Sequence, residues 1–108
     1  MIPMKDIRID VGVCTVLKIN LAEIDFEGIE KIMFTVKNFA SHKADTIIER
    51  EFTEAKIHEV IIEPEESIKL EDNAVYDFNK VLTDGTRHKM TDNGRIVLRR
   101  GVGDCFED

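Results

Sequence analysis

The sequence predicts an all-β protein, folded as an antiparallel β-sandwich of about seven strands with one short helical turn. Apolar and polar residues alternate along several short segments, which is the two-residue period of a strand with one buried face. Turn-forming residues separate these segments at spacings of roughly 8 to 12 residues. No stretch carries the apolar period of a long helix.

The first two strands are predicted within residues 7–21, where every odd position holds an apolar residue or threonine. Polar residues occupy most of the even positions. Because alternate side chains of a strand share a face, this pattern indicates one buried face along both strands. Gly12 interrupts the pattern, and we expect a bend there.

The third strand is predicted at residues 31–38. Its even positions form one apolar face: Ile32, Phe34 and Val36. A loop at residues 39–45 leads to a fourth strand at residues 46–52. The buried face of this fourth strand is ambiguous, because either Ile47 or Ile48 can point inward.

A fifth strand is predicted at residues 57–63, and the stretch PEESIKL follows it. Proline suits the first position of a helix, and it is supplied here by Pro64. Acidic residues are favourable in a first helical turn, which contains Glu65 and Glu66. The stretch is therefore predicted to form a single helical turn.

Residues 74–98 predict three strands joined by two turns. The first of these strands has one apolar face: Tyr76, Phe78 and Leu82. The turn after Leu82 is predicted to contain residues 83–85, with Gly85 in the left-handed conformation, so that Leu82 pairs with Thr86. A two-residue loop would instead pair Leu82 with Arg87 and place a charge against the apolar face.

A second turn of the same chemistry is predicted at residues 92–94, which read Asp-Asn-Gly. After it, Ile96 and Leu98 alternate with more polar positions and predict the last strand.

Tyr76 and Phe78 could alternatively form a stacking platform for single-stranded nucleic acid. Core packing is favoured, because these aromatic residues share a face with the apolar residues of the hairpin.

These elements fit a single domain spanning residues 1–108, with its core at residues 5–100 and a flexible tail at residues 101–108. The spacing of the strands favours an immunoglobulin-like sandwich. The cysteine and tryptophan markers of antibody domains are absent from the sequence.

Charge is unevenly distributed along the chain, which has a net charge of −7. Residues 45–72 hold ten acidic against three basic residues, whereas residues 80–100 hold six basic against two acidic ones. Such segregation favours head-to-tail or heterologous association between copies, although solvated faces of unlike charge are the more frequent explanation. The candidate interaction residues are Arg87, Lys89, Arg95, Arg99, Arg100, Glu49, Glu51, Glu65 and Glu66.

No pattern of catalytic or metal-binding residues stands out. Cys14 and Cys105 lie far apart without a second ligand cluster, and the three histidines, at positions 42, 58 and 88, are isolated. A hydrolase would require one of these groups in a shared pocket. We expect no enzyme, no cofactor, no metal and no small-molecule substrate. The acidic net charge and the lack of a long apolar run predict no direct nucleic-acid or membrane binding.

Several short motifs follow one another along the chain: Asp10-Val11-Gly12, Ile24-Asp25-Phe26-Glu27-Gly28, Phe34-Thr35-Val36-Lys37, Ile48-Glu49-Arg50-Glu51-Phe52, Pro64-Glu65-Glu66-Ser67, Val75-Tyr76-Asp77-Phe78 and Asp84-Gly85. Their order resembles that in the small immunoglobulin-like domain at the N-terminus of phage baseplate upper proteins and related prophage tail proteins. The sequence departs from the family pattern after Gly12, where Val13 and Cys14 replace the usual Asp-Thr.

The resemblance implies a non-enzymatic structural or adaptor protein of a phage or prophage particle. Such a protein would be made in the bacterial cytoplasm, would form a homo-oligomer, and would dock onto other virion proteins of the tail or baseplate. An alternative hypothesis is a small acidic inhibitor carried by a mobile element. In that case the carboxylates of residues 45–72 would imitate nucleic-acid phosphates and block a host nuclease.

Overall fold

The computed structural model describes residues 5–40, 44–91 and 93–100, and in Arg100 only the backbone. Strands account for 56% and helix for 4% of the structure, so the predicted all-β class is confirmed. The elements are β1 (Ile7–Val11), β2 (Thr15–Asn20), β3 (Ile29–Lys37), β4 (Thr46–Phe52), β5 (Ile57–Ile62), α1 (Pro64–Ser67), β6 (Val75–Leu82), β7 (Arg87–Lys89) and β8 (Gly94–Arg100). The tail predicted at residues 101–108 lies outside the described residues.

The strands form two sheets. The large sheet has the order β1-β8-β6-β3-β4, and β7 also pairs with β6, on the edge of β6 that leads to β8. It is a curled, mixed sheet. The small sheet consists of β2 and β5 in antiparallel pairing.

One strand pair departs from the antiparallel arrangement that the sequence predicts. β1 pairs with β8 in parallel, with Ile7 opposite Ile96 and Val11 opposite Arg100. Parallel pairing requires a long connection, and nearly ninety residues separate the paired positions of the two strands, so the chain does not impose an antiparallel hairpin on them. The bend at Gly12 directs β2 into the small sheet and leaves β1 to pair with β8. The predicted purely antiparallel sandwich is therefore wrong at this edge.

The core receives side chains from the inner faces of both sheets. Its buried members are Ile9, Ile19, Leu21, Ile32, Phe34, Val36, Ile48, Phe52, Val60, Ile62, Leu70, Ala74, Tyr76, Phe78 and Ile96. The predicted sidedness of the first two strands, of β3 and of β8 is confirmed. Ile48, not Ile47, is the inward residue of β4, which resolves the ambiguity of that strand.

The hairpin between β6 and β7 has the register that the sequence predicts. The Leu82 N–H donates to the Thr86 carbonyl at 2.8 Å, and the Gly85 N–H donates to the Leu82 carbonyl at 2.9 Å. Gly85 has a φ of 91°, as the three-residue turn requires. Arg87 and Lys89 are exposed, as expected from this register.

The second predicted turn, at residues 92–94, does not form a hairpin. Met90 donates to the Phe78 carbonyl and Gly94 lies opposite Tyr76, so β7 and β8 follow the same edge of β6. Between the two contact points, the chain has three residues from Met90 to Gly94 but only one residue on β6, between Tyr76 and Phe78. The passage from β7 to β8 thus has two residues more than β6 beside it, which is an irregularity of the β-bulge type. Asp92 itself lies outside the described residues.

Arg50 links the two sheets and the helical turn. Its Nη2 donates to both carboxylate oxygens of Glu66, at 2.8 and 3.1 Å, and to the carbonyl of Ile61 at 3.0 Å. Glu66 also accepts the backbone N–H of Glu63 at 3.0 Å, which completes a capping box at the start of α1. The helical turn predicted at Pro64 is thus confirmed and is bound to β4 and β5.

Candidate functional site

A polar cleft lies on the outer face of the large sheet, across β4, β3, β6 and β7. Its volume is about 420 Å3. The residues that line it are Thr35, Lys37, Phe39, Ala40, Thr46, Glu49, Val75, Tyr76, Asp77, Asn79, Arg87, Lys89 and Asn93. We call this surface the charged cleft.

Strand register explains how these side chains come together. Thr35 on β3 lies opposite Glu49 on one side and opposite Asp77 on the other. Because neighbouring strands are about 4.8 Å apart, side chains at the same level of one face are in reach of each other. One row further along the sheet, Asn79 lies opposite Lys89. The cleft is therefore a product of four paired strands, and of no single motif.

Thr35 forms part of the floor of the charged cleft and is only 5% exposed. Its hydroxyl oxygen is buried and makes no hydrogen bond within the part of the chain that the structure describes. A buried polar atom without a partner is uncommon in proteins, because burial deprives it of water. Together with Met33, also 5% exposed, it makes the middle of β3 buried on both faces.

The charges in the cleft fall into a paired and an unpaired group. Asp77 accepts a hydrogen bond from the Asn79 amide at 3.2 Å and lies 4.0 Å from the Lys89 ammonium. Lys89 also donates to the side-chain oxygen of Asn93 at 2.8 Å. Among the described residues, neither the Glu49 carboxylate nor the Arg87 guanidinium forms an ion pair. A free anion on β4 and a free cation on β7 thus lie on opposite sides of the cleft.

Three of the nine predicted interaction residues meet in this cleft: Glu49, Arg87 and Lys89. The others lie elsewhere. Glu51 pairs with Lys31 at 3.2 Å, Arg95 with Asp6 at 2.8 Å, and Arg99 lies 3.8 Å from Asp10. Glu66 binds Arg50, Glu65 is exposed on α1, and Arg100 ends β8 with its side chain outside the described part.

The sequence prediction missed Thr35, Asp77 and Asn79 as members of the site. A signal for the last two was present, because the alternation along β6 already placed them opposite Tyr76 and Phe78. The alternation along β3 likewise placed Thr35 on the face away from Ile32, Phe34 and Val36, but it did not show that Thr35 lies between Glu49 and Asp77. Its position depends on the pairing of β3 with β6, whose residues are some forty positions apart in the chain.

A second surface lies on the outer face of the small sheet, which we call the β2–β5 face. Three cross-strand pairs form it: Val16 with Ile61, Lys18 with Glu59, and Asn20 with Ile57. Its aliphatic side chains are unusually open, with Val16 and Ile57 each 56% exposed and Ile61 50% exposed.

The acidic residues of positions 45–72 do not form one continuous face. Glu49 and Glu51 lie on the outer side of β4, whereas Glu59 lies on the β2–β5 face. Glu66 is bound by Arg50 between the sheets. Imitation of a nucleic-acid backbone requires a row of carboxylates along one surface, and this distribution does not provide one.

The neighbours of Cys14 and His58 indicate structural roles for these two side chains. The Cys14 thiol donates to the Glu63 carboxylate at 3.6 Å, and partial desolvation and this carboxylate raise the pKa of the thiol, which disfavours the reactive thiolate. The His58 ring packs on Phe52 with a centroid distance of 4.7 Å. In residues 5–40, 44–91 and 93–100 there is no group of three side chains suited to a metal ion. His42 and Cys105 lie outside those ranges.

No helix in the described part of the chain is long and apolar enough to cross a membrane. Neither protein-family models nor curated protein sequences give a match to this chain.

Proposed function

We propose that this protein is a non-enzymatic interaction module of a phage or prophage particle. It docks onto other tail or baseplate subunits through the charged cleft. Two lines of support combine in this proposal. One is the order of short motifs from Asp10 to Gly85, which resembles that of the small domain of phage baseplate upper proteins. The other is the mostly β architecture, in which two sheets share one core.

The proposal includes an immunoglobulin-like sandwich as the finer description of the fold. The shared core between the inner faces of the two sheets supports it. The parallel pairing of β1 with β8 is a departure from a purely antiparallel sandwich. It is confined to one edge of the large sheet and leaves the strands that carry the cleft antiparallel.

The observation that carries the proposal is the unpaired charge in the cleft. Glu49 and Arg87 are both exposed and without ion-pair partners among the described residues. A partner subunit with a cationic group opposite Glu49 and an anionic group opposite Arg87 and Lys89 would satisfy both sides at once. Such complementarity sets orientation and increases the rate of association more than it increases affinity.

Cosedimentation with purified tails of the phage or prophage that encodes the chain tests this function. We expect the native protein to cosediment and the double variant Arg87→Glu, Lys89→Glu to lose most of its binding. Binding should weaken as salt is raised from about 50 to about 500 mM, because exposed charges are screened. The double variant Lys5→Glu, Arg8→Glu is the matched control, since it makes the same charge change at two exposed residues outside the cleft.

Native protein that fails to bind purified tails contradicts the proposal. So does a double variant that binds as well as the native protein. Recovery of a host nuclease in place of a tail protein, with the carboxylates of residues 45–72 required for binding, would favour the inhibitor hypothesis instead.

A further inference from the structure

The β2–β5 face presents apolar side chains that no described residue covers. Val16, Ile57 and Ile61 are each at least half exposed, and all three point from the same side of a two-stranded sheet. A sheet with one solvated face normally has polar residues on that face, since the apolar ones are buried on the other. Clustered exposed aliphatic side chains on an otherwise polar protein mark interaction surfaces.

The pattern of charge on this face is complementary to itself. Lys18 and Glu59 form the middle pair, with an aliphatic pair at one end and Asn20 with Ile57 at the other. The face therefore has no net charge, and each of its charged groups has an opposite charge at the same level on the neighbouring strand. A surface of this kind fits a second copy of itself.

We propose that a second copy of this chain docks on the β2–β5 face and forms a two-fold symmetric dimer. The symmetry axis lies in the interface and runs parallel to the strands. Rotation about this axis places β2 of one copy over β5 of the other and leaves each level unchanged. Lys18 then meets Glu59 of the second copy, and Val16 meets its Ile61. Every pair contact occurs twice, as in isologous interfaces generally.

The other two-fold axis in this plane is unfavourable. An axis perpendicular to the strands places β2 over β2, so that Lys18 faces Lys18 and Glu59 faces Glu59. Like charges in contact cost free energy, and each aliphatic pair would face a pair containing Asn20. The register of the small sheet therefore selects one axis.

The size of the face sets the strength of the dimer. A six-residue strand is about 20 Å long and two strands are about 10 Å wide. This is smaller than a standard protein interface, so we expect a weak dimer whose population depends on concentration. The proposal goes beyond the function proposed above, because it concerns a different surface and leaves the charged cleft open.

Sedimentation velocity over a range of protein concentrations tests the dimer and its axis. We expect Lys18→Glu alone, and Glu59→Lys alone, to raise the dissociation constant about tenfold or more. The exchanged variant Lys18→Glu, Glu59→Lys restores the opposite-charge contacts and should return the constant to near its native value. Lys5→Glu makes the same charge change as Lys18→Glu but lies away from the face, so it should leave the dissociation constant unchanged.

Substitutions at Val16 and Ile61 test the apolar contact between the two copies. Val16→Thr and Ile61→Thr keep the β-branched shape that a strand prefers and remove apolar surface, so each should weaken the dimer while thermal unfolding confirms the fold. A protein that remains monomeric up to millimolar concentration overturns the proposal. A dimer that tolerates both single charge reversals, or that the exchanged variant does not restore, also overturns it.

These outcomes are independent of tail binding. A variant that loses the dimer and still cosediments with tails contradicts nothing in the proposed function. A variant such as Arg87→Glu, Lys89→Glu that loses tails and keeps the dimer separates the two surfaces in the opposite direction.

Discussion

Gly94 lies against the ring of Tyr76. A Cβ added at Gly94 would be 2.3 Å from Cε2 and 2.4 Å from Cζ of that ring. Tyr76 is buried in the core, and its hydroxyl donates to the carbonyl of Lys5. The sequence indicates this glycine as a turn residue, but the structure requires it for the close approach of a side chain. Its conformation does not demand glycine, since its φ is not positive.

We therefore predict that Gly94→Ala destabilises the protein by about 3 kcal/mol, because the ring of Tyr76 must move to admit the methyl group. Urea unfolding monitored by tyrosine fluorescence measures this, since Tyr76 is the single tyrosine of the chain. Gly85→Ala is the comparison: its Cβ would meet nothing within 4 Å, and its φ of 91° costs about 1 to 2 kcal/mol. A smaller loss for Gly94→Ala than for Gly85→Ala would contradict the argument.

Among the strands, the part of the fold that the sequence predicts best is the part set by local chemistry. The turn at residues 83–85 has its predicted register because that register depends on Gly85 and on which side chains of β6 face the core. These residues lie close together in the sequence. The partners of β8 could not be found in this way. They depend on β1, whose pairing residues lie about ninety positions earlier in the chain.

The bulge after β7 depends on Thr91, whose Oγ1 accepts the N–H of Phe78 at 3.3 Å in place of a backbone acceptor. We predict that Thr91→Val, which keeps the shape and removes the acceptor, lowers stability by about 1 kcal/mol. The Phe78 amide should then exchange its hydrogen faster, which NMR or mass spectrometry can measure. Thr83→Val is the control, because Thr83 is exposed in the turn. Unchanged exchange at Phe78 would show that this N–H does not depend on Thr91.

Across the whole molecule, Arg50 and Glu66 connect the two sheets, and their contact makes stability depend on pH. Burial raises the pKa of Glu66, but the hydrogen bonds from Arg50 and from the Glu63 N–H outweigh it and hold the pKa below its ordinary value of 4.5. A carboxyl whose pKa is lowered in the folded state stabilises that state when ionised. This contribution is present above the unfolded pKa and is lost as pH falls through the folded pKa.

We accordingly predict that Glu66→Gln lowers the free energy of unfolding at neutral pH by about 1 to 2 kcal/mol, as expected for hydrogen bonds to a charged group. The variant should also lose less stability than the native protein as pH falls below the ordinary glutamate pKa of 4.5. Urea titrations at several pH values measure both effects. Glu65→Gln, at the exposed neighbouring position of α1, should stay within about 0.5 kcal/mol of the native protein. Parallel pH curves for the native protein and Glu66→Gln would contradict the assigned role.

At this scale, composition and charge predicted less of the candidate site than strand periodicity did. Strand pairing places Glu49 of the acidic segment and Arg87 of the basic segment in one cleft. The acidic segment also contains Glu66, which binds Arg50 and helps to hold the sheets together. The alternation along residues 7–21 already placed Val16 on the outer face of β2. The sequence did not show that Ile61 of β5 lies beside it, which depends on the pairing of β2 with β5.

The parallel contact between the first and the last strand has a consequence for synthesis on the ribosome. Ile7 cannot meet Ile96 until nearly ninety further residues have been translated. At roughly 5 to 20 residues per second, β1 waits for about 5 to 20 s with an unpaired edge. Contacts between distant parts of a chain also slow folding. The large sheet is therefore completed only after β8 has been translated, and until then the nascent chain presents the unpaired edge of β1 to chaperones.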